Sequence, residues 1–141
     1  MRAIVCVALS CFSAFGFSRA VIQTPSEAIE QAKPAADSWL KLLDEGRYGE
    51  SWEQAAAYFK ERVPREKWES MVRSVREPLG KLLSRTVKST QFTKELPGAP
   101  DGQYVIIQYD TSYENKKSAI ETVTVMREKN GDWRVSGYFI R

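Results

Sequence analysis

Apolar residues recur at helical spacing up to about Ser84 and alternate with polar ones after it. Ala36, Trp39, Leu40 and Leu43 form one stripe of a first helix, with Gly46 as its C-terminal cap. Pro34 predicts that this helix begins near it or kinks there. Ser51-Trp52-Glu53-Gln54 has capping-box spacing, so a second helix is expected from Ser51 through Ala55, Tyr58, Phe59 and Arg62. Pro64 suits the first position of a third helix, whose predicted buried stripe is Trp68, Met71, Val72 and Val75. Pro78 ends that helix, and Leu79 to Leu83 are expected to add a turn.

A weakly patterned strand is expected over Arg85 to Lys94, before the turn-rich run Leu96-Pro97-Gly98-Ala99-Pro100-Asp101-Gly102. Tyr104 to Tyr113 places Val105, Ile107, Tyr109, Thr111 and Tyr113 on one face, and Glu114 to Lys117 turns the chain. Ala119 to Glu128 follows with Glu121, Val123 and Val125 on one face. Trp133 to Ile140 then puts Trp133, Val135 and Phe139 together. Between these last two strands, a two-residue Asn130-Gly131 loop would set Arg127 opposite Arg134. A three-residue loop, Lys129 to Gly131 with Gly131 left-handed, pairs Val125 with Val135 and Arg127 with Trp133, and is preferred. The expected class is α+β: N-terminal helices packed on one face of a four-stranded antiparallel meander.

The first 20 residues read as an export signal: Arg2, an apolar run from Ala3 to Phe17, and Ser18-Arg19-Ala20 with small residues where a signal peptidase cuts. Residues 21 to 34 look like a polar, loosely held lead-in, and 35 to 141 like one domain. Cys11 as a lipidated residue is disfavoured by a poor preceding Ala8-Leu9-Ser10. Export to the periplasm or medium is the expectation, with no transmembrane segment.

Histidine is absent, and both cysteines, Cys6 and Cys11, lie in the leader. A thiol nucleophile, a disulfide, an imidazole base and a soft metal site are therefore excluded from residues 21 to 141. No metal and no cofactor is expected. The leader carries two arginines and no acid, leaving 19 basic and 18 acidic side chains. Lys60 to Lys88 is locally basic, 9 against 4, but Glu61, Glu66, Glu69 and Glu77 interrupt it, as on a solvated helix face. Nucleic acid is not an expected partner.

Glu121 is the candidate catalytic acid, since parity places it with Val123 and Val125 on the covered side. A carboxylate shut away from water can serve as a general base. The plainer expectation is an ion pair with Arg141 on the next strand. Tyr109, Tyr113 and Trp133, with Glu121, are candidates for lining a ligand pocket. Tyr104, Ile106, Met126, Tyr138 and Ile140 are expected on the second sheet face, as an apolar association surface suited to a homodimer or protein partner.

Several segments taken together carry a resemblance. They are Trp39 through Asp44, Gly46-Arg47-Tyr48, Ser51-Trp52, Pro78-Leu79-Gly80 and Ser84-Arg85, then Leu96 through Tyr104, Glu121-Thr122-Val123-Thr124 and Trp133 through Ile140. This set resembles the bacterial exported proteins grouped as domain-of-unknown-function family 4019 (DUF4019). The resemblance implies an exported protein without an assigned activity. The helices-then-sheet order is also similar to cystatin-like and NTF2-like folds, in which helices and a curved sheet enclose a conical pocket; the NTF2-like superfamily includes acid–base enzymes that use an acid there. The functional expectation is a non-catalytic binding module for a small apolar ligand or a protein, using the helix–sheet pocket or the open sheet face. The alternative is a pocket enzyme doing acid–base chemistry with Glu121 and a tyrosine hydroxyl.

Overall fold

The computed structural model describes residues 23–141; the expected leader, with Cys6 and Cys11, lies outside them. Among the described residues four helices precede a sheet of four strands. The helices are α1 (Pro25–Asp44), α2 (Tyr48–Gln54), α3 (Ala57–Arg62) and α4 (Arg65–Arg76), followed by a 3-10 turn over Glu77–Leu79. The strands β1 (Leu82–Thr93), β2 (Tyr104–Tyr113), β3 (Lys116–Arg127) and β4 (Trp133–Ile140) form an antiparallel sheet in that order. The expected α+β plan is what forms. Among the described residues no helix is long and apolar enough to cross a membrane.

α1 starts well before Pro34, so residues 25 to 34 are helix and not a loose lead-in. Thr24 caps it: its hydroxyl accepts the Glu27 N–H at 3.2 Å, and the Glu27 carboxylate accepts the Thr24 N–H at 2.8 Å. Pro25 occupies the first turn, where its missing donor does no harm. Pro34 lies inside the helix and does not end it. An internal proline costs about 3 kcal/mol. The fully buried Ala28, Ala32 and Ala36, one turn apart, set a packed face against that penalty. At the other end Gly46 adopts φ +73, its N–H bonding Leu43 O and that of Arg47 bonding Leu42 O, the two bonds of a Schellman stop.

The expected second helix is two. Ala55 and Ala56 are extended between α2 and α3, and the Ala56 N–H bonds the Val135 carbonyl on β4. Ser51 is no cap: it lies inside α2, fully buried. Its hydroxyl donates to Tyr48 O at 2.6 Å and accepts the Trp68 indole N–H at 3.0 Å, while its carbonyl accepts the Trp39 indole N–H at 2.8 Å. One small residue thus satisfies two buried tryptophans. Pro64 stands just ahead of α4. Trp68 and Val72 are buried there as expected, but Met71 and Val75 are 47% and 43% exposed, and the third buried position is Arg76. The expected extra turn comes earlier than Leu79 to Leu83, as the 3-10 turn over Glu77–Leu79, and β1 is already running at Leu82.

α1 lies across all four strands and covers one sheet face. On that side Val105, Ile107, Tyr109, Thr111 and Tyr113 of β2 meet Ala119, Glu121, Val123 and Val125 of β3, all buried. The β3–β4 hairpin has the expected register, Val125 opposite Val135 and Arg127 opposite Trp133, with Gly131 at φ +93.

Beyond Val135 the alternation breaks. Thr124 faces Gly137 while Val125 faces Val135, so Ser136 is a bulge. An extra residue reverses the parity of everything after it. Tyr138 therefore turns toward the helices and Phe139 outward, 59% exposed, the reverse of the expected assignment. Arg141 pairs its backbone with Ile120 and takes no part in an ion pair with Glu121. Tyr104 also leaves the expected surface. The turn-rich run folds back over it, its hydroxyl bonds the Pro100 carbonyl, and only 1% of it is exposed. Ile140, opposite Glu121, follows Tyr138 to the helix side and also leaves the expected surface, where Ile106 and Met126 remain, half-buried.

Candidate functional site

Asp44, Arg76, Arg85, Thr111, Glu121 and Tyr138 converge beneath the helical layer. Each arrives from a different place: the last turns of α1 and α4, then β1, β2, β3 and, through its bulge, β4. Glu121 is fully buried. One of its oxygens accepts Arg76 Nη1 at 3.1 Å and the Tyr138 hydroxyl at 2.5 Å. The other accepts Arg85 Nε at 2.7 Å and the Thr111 hydroxyl at 2.9 Å. Asp44 bridges the same two arginines, taking Arg85 Nη1 at 2.7 Å and Nη2 at 2.9 Å, and a bond from Arg76 Nη2. Two guanidiniums and two carboxylates leave the cluster formally neutral.

Burial pushes the Asp44 carboxyl upward, but hydrogen bonds from Arg85 and Arg76 outweigh it and hold it below its usual value. Burial likewise works against the charge of both arginines; tyrosine, aspartate and glutamate partners overcome it, so each stays charged more firmly than a free guanidinium. Tyr138 is raised, by burial first and then by the Glu121 charge, against the opposing pull of Arg76. The cluster thus rests as two ion pairs with a neutral phenol. A buried carboxylate with all its acceptor directions occupied has no free lone pair for a substrate proton.

Tyr109 and Tyr113 flank this cluster. The Tyr109 hydroxyl donates to Asp37 at 3.0 Å, and burial, then the charge of Asp37, raises its pKa. The Tyr113 hydroxyl is buried without a hydrogen-bond partner, and burial, then Glu121, pushes it up to about 12. The Arg76 guanidinium sits 5.1 Å from the Tyr113 ring centre. Sequence reasoning found Glu121 but missed Arg76, Arg85 and Asp44 as its companions. A signal was present: Arg76 continues the four-residue spacing of Trp68 and Val72, and Asp44 that of Ala36 and Leu40.

Open space lies elsewhere. A cleft of about 460 Å³ runs between α1 and the β4 hairpin, walled by Trp133, Trp39, Gln31, Gln54, Asp132 and Arg134. Of the four expected ligand residues only Trp133 lines it; Tyr109, Tyr113 and Glu121 are packed inside. A second cleft, about 720 Å³, is bounded by α3, the Pro100–Gly102 segment and the hairpin, and carries charges of both signs. Among the described residues no group of three or more Asp and Glu could hold a metal ion.

No match is found among curated proteins. Among solved structures the chain is similar to a protein from Catenulispora acidiphila determined at 2.5 Å, with a TM-score of 0.51 and 11% identity over 79% of this chain and 88% of that one. At that identity the likeness concerns the fold alone. The sequence model of the family described as "Protein of unknown function (DUF4019)" spans residues 35–138, and on that match the chain belongs to the DUF4019 family.

Proposed function

We propose that this chain is a non-catalytic binding module of the cell envelope or its surroundings. One observation carries the reading: the enclosed acid, Glu121, is saturated by four donors and is not among the residues that line the described clefts. An acid–base enzyme built on Glu121 and a tyrosine would need an open approach to both groups. The α1–β4 cleft is the better ligand site, because it joins the Trp133 ring to amide, carboxylate and guanidinium groups. Such a wall suits a small ligand with one apolar face and a hydrogen-bonding rim. The half-buried Ile106 and Met126 leave the outer sheet face as a weaker surface for a protein partner. Export is supported by the leader's composition, Arg2 and the apolar run before Ser18-Arg19-Ala20.

Native mass spectrometry of the protein purified from its own host tests this directly. A retained small molecule is expected in the wild type and in Glu121→Gln, and its loss in Trp133→Ala, with a mature mass beginning at Val21. A wild type that retains nothing, or a Glu121→Gln variant that folds yet loses a measurable turnover, would overturn the reading.

A further inference from the structure

Residue pairs in an antiparallel ladder alternate between those that exchange both hydrogen bonds and those that exchange none. Ile120 and Arg141 exchange both, at 2.9 and 3.1 Å. Alternation makes Thr122–Phe139 the next bonded pair and turns the backbone groups of Tyr138 and Ile140 away from β3. Earlier on the same edge the outward carbonyl of Val135 is capped by Ala56 N–H at 2.8 Å. Among the described residues, no backbone group from outside the sheet reaches Tyr138 or Ile140. A cleft of about 240 Å³ beside them separates β4 from α4, lined by Trp68, Met71, Val72, Val75, Phe139 and Ile140. Met71, Val75 and Phe139 are exposed along it.

The other edge of the sheet is built differently. β1 is interrupted by bulges at Leu83 and Lys88 and carries Arg85 and Lys88, devices that discourage strand addition. Val135-Ser136-Gly137-Tyr138-Phe139-Ile140 has no charge and no proline. We propose that this edge of β4 joins the same edge of a second copy, antiparallel, about a two-fold axis at Phe139. Tyr138 of each copy then exchanges both backbone bonds with Ile140 of the other. The two Phe139 rings meet at the closely spaced non-bonded position, a favourable cross-strand aromatic pair. Self-pairing opposes no like charges, because the segment holds none, and the Met71–Val75 stripes of both α4 helices close over the joined edge. Isologous contacts of this kind are the commonest in soluble oligomers.

The test uses the full chain with Cys6 and Cys11 replaced by serine. Phe139→Cys places the two thiols on Cα atoms about 4.5 Å apart, within disulfide reach. Copper phenanthroline is expected to give a covalent dimer at this position, and little product for Ile106→Cys on the open face. Ile140→Pro deletes the outward N–H without touching the β3 ladder, and should weaken self-association in sedimentation by roughly tenfold or more. Phe139→Lys, at an exposed position, should do the same should the proline variant fail to fold. A wild type that stays monomeric at sub-millimolar concentration overturns the proposal. So does a dimer indifferent to Phe139→Lys, or equal cross-linking at Ile106.

Discussion

Arg76 shows what single side chains do in this protein. Its guanidinium touches Asp44, Glu121 and Tyr138 from a position almost closed to water. Arg76→Met keeps much of the volume but leaves Glu121 and Asp44 with Arg85 as their shared cation. Removing one partner of a buried pair typically destabilises by about 3–5 kcal/mol, because the other charge stays desolvated. Urea unfolding should show that loss, while an exposed pair such as Arg73–Glu77 should register less than about 1 kcal/mol. Helical spacing made Arg76 visible as a member of the buried stripe. Its partners were not visible, since they lie 32 and 45 residues away along the chain.

At the scale of elements, the capping chemistry was written locally. Thr24-Pro25-Ser26-Glu27 and Gly46 mark both ends of α1, and the Gly46 stop was legible from the sequence. Pro34 drew attention away from the true start. Thr24→Ala should destabilise the fold by about 1 kcal/mol, measured by the denaturation midpoint, provided the first turns of α1 are packed as the buried Ala28 and Ala32 indicate. The β3–β4 loop could also be read in advance, because opposed arginines ruled out the shorter turn. The Ser136 bulge could not. No residue type demands one there, and it forms where Val135 bonds Ala56 while Tyr138 swings in to meet Glu121. That one inserted residue moved Tyr138 from the expected association surface into the cluster and put Phe139 in its place.

The whole molecule should respond to pH in two separate windows. Tyr138, Tyr109 and Tyr113 all have raised pKa values, so folding keeps them neutral beyond the point where an unfolded chain's tyrosines ionise, about 10. Their contribution is complete below that pH and is lost as pH climbs through the folded values. Asp44 runs the other way: its lowered pKa stabilises the fold above the ordinary carboxyl range, and that stability disappears as pH falls through the folded value. Denaturant midpoints should therefore be level near neutrality, fall from about pH 10 upward, and fall again in strong acid. Tyr138→Phe should flatten the alkaline limb while lowering the neutral plateau, since Glu121 loses a donor worth about 1.5–3 kcal/mol. An unchanged alkaline limb in that variant would mean that Tyr138 ionises freely in the folded protein.

The order of helices before strands, the sheet's covered face, both ends of β2 and the last hairpin's register were all determined by local periodicity and turn chemistry. Those signals act between neighbours in the chain, and the sequence displays neighbours. What only the tertiary structure decided was who meets Glu121. Parity put Arg141 beside it, whereas packing of α1 and α4 over a sheet with a late bulge brought Arg76, Arg85 and Tyr138 instead. Contacts between distant segments depend on how layers fit and where a strand gains a residue, and neither is encoded in any one stretch of chain.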